Sequence, residues 1–202
     1  MKKIFFYIIL SGLFIVNYSC ESAIQKADSD KTSEEVLLLL NEDTSLIPEV
    51  IKGISVGIEV WNDPDTIYAR ISEKDTSKYI WKHTTTVKAL YSNVQILEFG
   101  TCNYKNGQWV LGNFTKKPFT ADEFENWYFI KSNKDIISWE PCKGGYLKKG
   151  QEYIDPSNWS VTNRELISRS GLWYFVGVED GGRKVMGYGR YITMPALDES
   201  KD

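Results

Sequence analysis

The stretch "GLWYFVGVEDGGRKVMGYGRYITM", residues 171–194, decides the fold. Two runs rich in aromatic and β-branched residues flank Asp180-Gly181-Gly182. Such runs suit a pleated, half-buried surface, and an Asp-Gly pair between them is a strong hairpin signal. The residues therefore predict a long antiparallel hairpin, with Gly187 and Gly189 marking the return strand as prone to bulging. "NYKNGQWVLGNF" (103–114) repeats the pattern around Asn106-Gly107 and predicts a second hairpin.

Further strands read outward from these two. "ISVGIEVW" (54–61) runs into the turn cluster "NDPD", and "TIYARI" (66–71) and "KYIWKHTTTVKALY" (78–91) follow. In "SNVQILEFG" (92–100), Val94 and Ile96 share one face and Leu97 and Phe99 the other, which predicts apolar neighbours on both sides. "SWEPCKGGYLKKGQEYIDPSNWS" (138–160) mixes short strands with Gly, Pro and Asn turns. Helices are few. Thr32 with Glu35 and Thr120 with Glu123 form capping-box patterns before short helices at 32–41 and 120–128, and "TNRELISRS" (162–170) reads as a helical turn. Many short strands with turn-rich spacing predict an all-β sandwich or a jelly-roll-like barrel with one to three short helices. The domain expected is a single one over 35–198, with a tail at 199–202.

The chain opens with Lys2 and Lys3, an apolar run from Ile4 to Val16, and then "NYSC". The run is about two-thirds of the ~20 residues a membrane-crossing helix needs and matches a secretory signal. With Cys20 where cleavage should fall, the segment resembles a bacterial lipoprotein signal peptide, of the loose lipobox type common in the Bacteroidetes. Val16 and Ser19 suit that pattern, whereas Asn17 and Tyr18 depart from it. The resemblance implies removal of residues 1–19, lipidation of Cys20, and anchoring to the cell envelope, at the outer membrane. Plain secretion with an ordinary cysteine is the alternative. Residues 21–34 are polar and lack aromatic side chains, so the segment 20–34 reads as a flexible tether.

The region 81–160 resembles a cupin-type jelly roll, on its aromatic strands and on "KKGQEYIDPSNW", which is similar to part of the second cupin motif. Metal-binding cupins converge several histidines and a glutamate on one ion. This chain has the single histidine His83, so the resemblance implies a shell without the metal site. No metal and no cofactor are expected.

Loss of Lys2 and Lys3 with the signal takes the formal charge from −3 to −5. A mildly acidic surface argues against nucleic-acid binding. Cys102 and Cys142 then remain in an oxidising compartment. A disulfide between them would close a loop of about 40 residues, worth up to roughly 4 kcal/mol. Two buried thiols are the alternative.

No G-x-S-x-G, glycine-rich phosphate loop or H-E-x-x-H occurs. His83 shares a strand face with Trp81 and Thr85 and reads as a structural or surface residue, with a general base as the alternative. Glu98, Glu140 and Asp155 could pair as glycosidase acids. They could equally be solvated or turn-capping acids. Aromatic content is 14%, with seven Trp and twelve Tyr. Trp127, Tyr128 and Trp159 fall in irregular segments, where flat faces could meet a sugar or a peptide. Asn126, Asp155 and Asn158 could add polar groups, while Trp109 and Trp173 read as strand core. The expectation is a noncatalytic domain binding a carbohydrate, peptide or protein partner at the envelope. An envelope enzyme acting on carbohydrate and an accessory lipoprotein without a small-molecule site are the alternatives.

Overall fold

The computed structural model describes residues 47–132 and 137–198. The expected signal peptide, lipidated Cys20 and tether, the helix expected at 32–41 and the tail at 199–202 lie outside the described residues. Among these residues thirteen strands form one mixed sheet, with one α-helix. The strands are β1 (Ser55–Val56), β2 (Ile58–Asp63), β3 (Thr66–Ile71), β4 (Tyr79–Ala89), β5 (Val94–Lys105), β6 (Gln108–Leu111) and β7 (Phe119–Thr120). Helix α1 (Ala121–Trp127) follows, then β8 (Phe129–Lys131), β9 (Ile137–Pro141), β10 (Tyr146–Leu147), β11 (Glu152–Thr162), β12 (Arg169–Glu179) and β13 (Lys184–Leu197). The order is β10-β5-β12-β13-β3-β4-β11-β8-β9, with β1 on β13, β2 on β4, and β6 and β7 on β5. The class is all-β, as the alternating runs and turns predicted.

β3 is the seam. It pairs antiparallel with β4 and parallel with β13, and so joins two arms of the sheet. The arms fold over one main core holding Trp81 and Val87 of β4, Tyr153 of β11, and Phe99, Trp173 and Phe175 of β5 and β12. Phe99 is its hub, stacked on Phe175 at 5.7 Å and edge-on to Phe124 of α1 at 5.4 Å. A second cluster covers the opposite face of β5, β12 and β13 with Cys102, Leu172, Tyr174, Val176 and Met186, closed by Ile51 from a 3-10 turn. Burial on both faces explains why β12 reads as a nearly continuous apolar run.

Both hairpins form. Asn106 and Gly107 take positive φ (52° and 80°) between β5 and β6, and Gly182 (φ 83°) turns β12 into β13. The helix at 121–127 begins with the predicted box: Glu123 N donates to Thr120 Oγ1 at 3.4 Å, and Thr120 N donates to Glu123 Oε2 at 2.7 Å.

Four expectations are corrected. Register between β12 and β13 runs unbroken through Gly187 and Gly189, so neither glycine makes a bulge. They are small because β2 crosses there: a Cβ on Gly189 would lie 2.9 Å from Val60 Cγ1, and one on Gly187 would strike the Ile58 carbonyl. A bulge occurs instead at Leu97, between the Glu98 and Ile96 pairings with β12, which puts Val94, Ile96 and Phe99 in one core and leaves Leu97 exposed. Residues 162–170 form no helix; the Arg164 guanidinium reaches back to the Thr76 carbonyl at 2.9 Å, and Arg169 already pairs with Thr193. Cys102 and Cys142 are free and buried. They belong to the second and the main cluster, on opposite sides of the sheet, so the expected disulfide does not close.

Candidate functional site

A cavity of about 780 Å³ opens at one end between the two arms. That volume lies within the usual range for small-molecule sites. Its two walls come from strand pairs in register. On one wall Phe99 faces Phe175, Thr101 faces Trp173 and Asn103 faces Gly171, with Arg169 at the rim. The row thus passes from dry core to polar cavity along two strands. Gly171 is required there, because the Tyr191 ring edge and hydroxyl occupy the place where a side chain would stand.

The opposite wall is β4 and β11. Asp155 pairs with Thr85 and Asn158 with His83, and a bulge between Asp155 and Asn158 absorbs Pro156 and Ser157. Three residues of separation would place Asp155 and Asn158 on opposite faces of a regular strand. The bulge turns both side chains inward, where each is nearly fully buried. Pro156, having no N–H, sits where a bulge tolerates it. Asn158 Nδ2 donates to Thr85 Oγ1 (2.8 Å), which donates to Asn62 Oδ1 (2.8 Å), and Asn62 Nδ2 donates to the Arg190 carbonyl (3.0 Å). This relay locks Asn158.

Aromatic rings frame the mouth. Trp127, at the end of α1, is half-buried and packs edge-on against Phe119 at 4.7 Å. Trp159 and Trp139 are 58% and 64% exposed and both line the cavity. Trp139 holds a positive φ of 57°, uncommon for a bulky residue, and its ring meets Phe129 edge-on at 5.3 Å.

The polar lining is incompletely satisfied. Seven buried side-chain N or O atoms have no hydrogen-bond partner among the described residues, and four belong to this lining: both His83 nitrogens, Asn103 Oδ1 and Trp173 Nε1. Burial is not the cause by itself, since the fully buried Trp81 donates its Nε1–H to the Met194 carbonyl at 2.9 Å. His83 packs at a tilt against Tyr191, ring centroids 4.9 Å apart, and burial lowers its pKa to about 4, so the imidazole is neutral. Burial raises the Asp155 carboxyl to about 6 against the opposing hydrogen bond from Ser157 N. Among the described residues the Arg169 guanidinium makes no hydrogen bond or ion pair, and its charge acts on Tyr191.

Trp127, Trp159, Asn126, Asp155 and Asn158 thus meet at one cavity. Tyr128 does not: it is fully buried, stacked on Phe124 at 4.1 Å. Trp173, read from the sequence as core, is both core and cavity wall, while Trp109 packs with the second cluster. His83 faces the cavity. Arg169, Asn103 and Trp139 escape sequence reasoning, because no local pattern marks any of them as a site residue. Glu98 sits beside Tyr174 on the other face of the sheet, and Glu140 is exposed on β9. Asp155 is therefore the one carboxylate of the described lining, and the paired-acid arrangement does not assemble. No group of three metal-ligating side chains converges among the described residues.

No protein-family model and no curated protein matches the chain. Among solved structures, the N-terminal domain of PorA is similar over 65% of this chain and 87% of that one, at 11% identity and a TM-score of 0.28. That likeness is too slight to assign a fold family.

Proposed function

We propose that the protein is an exported, noncatalytic ligand-binding domain, tethered to the cell envelope through a lipid on Cys20, whose ligand occupies the cavity between β5–β12 and β4–β11. One observation carries the binding reading: unpartnered buried donors and acceptors gather behind a rim of tryptophans. Buried polar groups are nearly always paired, so such a cluster is explained by a ligand that completes it. Apolar walls with a few convergent polar groups are the ordinary form of a small-molecule site. Carbohydrates and peptides both carry groups that could complete it.

Titrating the full chain with saccharide and peptide libraries, followed by tryptophan fluorescence, tests this. Trp127→Ala and Trp159→Ala should each weaken the bound class by about tenfold or more, the scale of a truncated aromatic anchor. A chain that binds neither class overturns the reading. The tether rests on the basic start, short apolar run and Cys20. Cys20→Ala should leave unprocessed precursor or move the protein out of the membrane fraction. Wild-type processing and fractionation of that variant would remove the anchor.

A further inference from the structure

Arg169, Asn103, His83 and Trp173 stand on facing walls of one cavity, and the mouth of that cavity is faced with indoles. We infer that the ligand is an acidic sugar, a pyranose bearing one carboxylate, with its ring against the mouth tryptophans and its carboxylate on Arg169. The inference rests on the binding reading above.

The unpartnered atoms are mixed in kind. Trp173 Nε1 can only donate, Asn103 Oδ1 can only accept, and the neutral His83 ring needs one partner of each kind. Hydroxyl groups both donate and accept, so a polyol ring fits all of them. The axial C–H faces of such a ring lie well on the flat indoles of Trp127, Trp139 and Trp159. A peptide fits less well. Beyond Ile154, β11 pairs with β4 alone, but its other edge there is broken by the bulge, and Pro156 has no N–H to donate. Strand addition, the usual mode of peptide capture by a sheet, therefore lacks its ladder.

The charge comes from Arg169. Its guanidinium is half-buried at the rim and makes no ion pair among the described residues, with Asp155 or any other acid. A planar, singly charged carboxylate matches the planar fork of one arginine. A doubly charged phosphate would call for more than one cation.

The test compares two probes on the full chain by calorimetry: oligogalacturonate and its neutral galactose counterpart. A charge-assisted hydrogen bond predicts about tenfold or greater preference for the acidic sugar. Arg169→Gln should erase that preference, bringing the two probes to similar affinities. Equal or weaker binding of the uronate overturns the inference but keeps the cavity reading. So does displacement of the uronate by an acidic peptide or a sulfated sugar at lower concentration. If no sugar and no peptide binds, both readings fall. The wild-type preference is read without any variant, so a misfolded Arg169→Gln does not shield the proposal.

Discussion

His83 and Asp155 face one cavity from neighbouring strands and respond to acid in opposite directions. Burial depresses His83 from 6.5 to about 4, so below pH 6.5 the unfolded chain binds a proton that the native chain resists. Its contribution is present above pH 6.5 and is lost as pH falls through 4. Burial raises Asp155 from 3.8 to about 6, so between those values the native chain holds the extra proton. Its contribution is present below pH 3.8 and is lost as pH rises through 6. Each shift corresponds to about 3 kcal/mol at full extent. The two slopes therefore oppose each other between about pH 4 and pH 6. Relative to Asp155→Asn, the wild type should gain up to about 3 kcal/mol on acidification across that window. Relative to His83→Asn it should lose a similar amount. Denaturant midpoints at several pH values measure both differences, and curves that stay parallel would show that neither group is held as described.

At the scale of elements, α1 shows how local chemistry places a site residue. Thr120 and Glu123 satisfy backbone donors that the helix leaves open, and the seven-residue helix then carries Trp127 to the cavity rim. A helix this short has little stability of its own, so its start depends on the cap. Thr120→Ala should cost about 1 kcal/mol in denaturant unfolding and loosen Trp127, seen as a shift in tryptophan emission. An unchanged midpoint would mean that packing of Phe124 on Phe99 and Tyr128 alone holds the helix. The strands follow a different rule. Two of the breaks in their pairing, at Leu97 and between Asp155 and Asn158, are bulges that each collect onto one face residues that a regular strand would separate. The first keeps Phe99 in the core. The second builds half the polar wall of the cavity.

Over the whole molecule, the fold separates the two cysteines into different cores and holds both thiols protonated, with burial pushing Cys102 to about 11 and Cys142 to about 12. Both should react with a thiol reagent only after denaturation of freshly isolated, unreduced protein. Mass spectrometry showing a linked pair would contradict the arrangement of the sheet. Much of this architecture is legible along the chain. Asn106-Gly107 and Asp180-Gly181-Gly182 make hairpins, and Thr120 with Glu123 starts a helix, because turns and caps depend on residues a few positions apart. Trp127, Trp159, Asp155 and Asn158 stand out for their place in irregular or proline-broken sequence. Only the tertiary structure decides that β3 joins two arms, that Gly189 yields to Val60, and that Arg169, Asn103 and His83 share a cavity. Those outcomes depend on which strands meet across the sheet, and on bulges that change the facing of every residue beyond them. Sheet pairing joins residues far apart in sequence, so no short-range pattern encodes it.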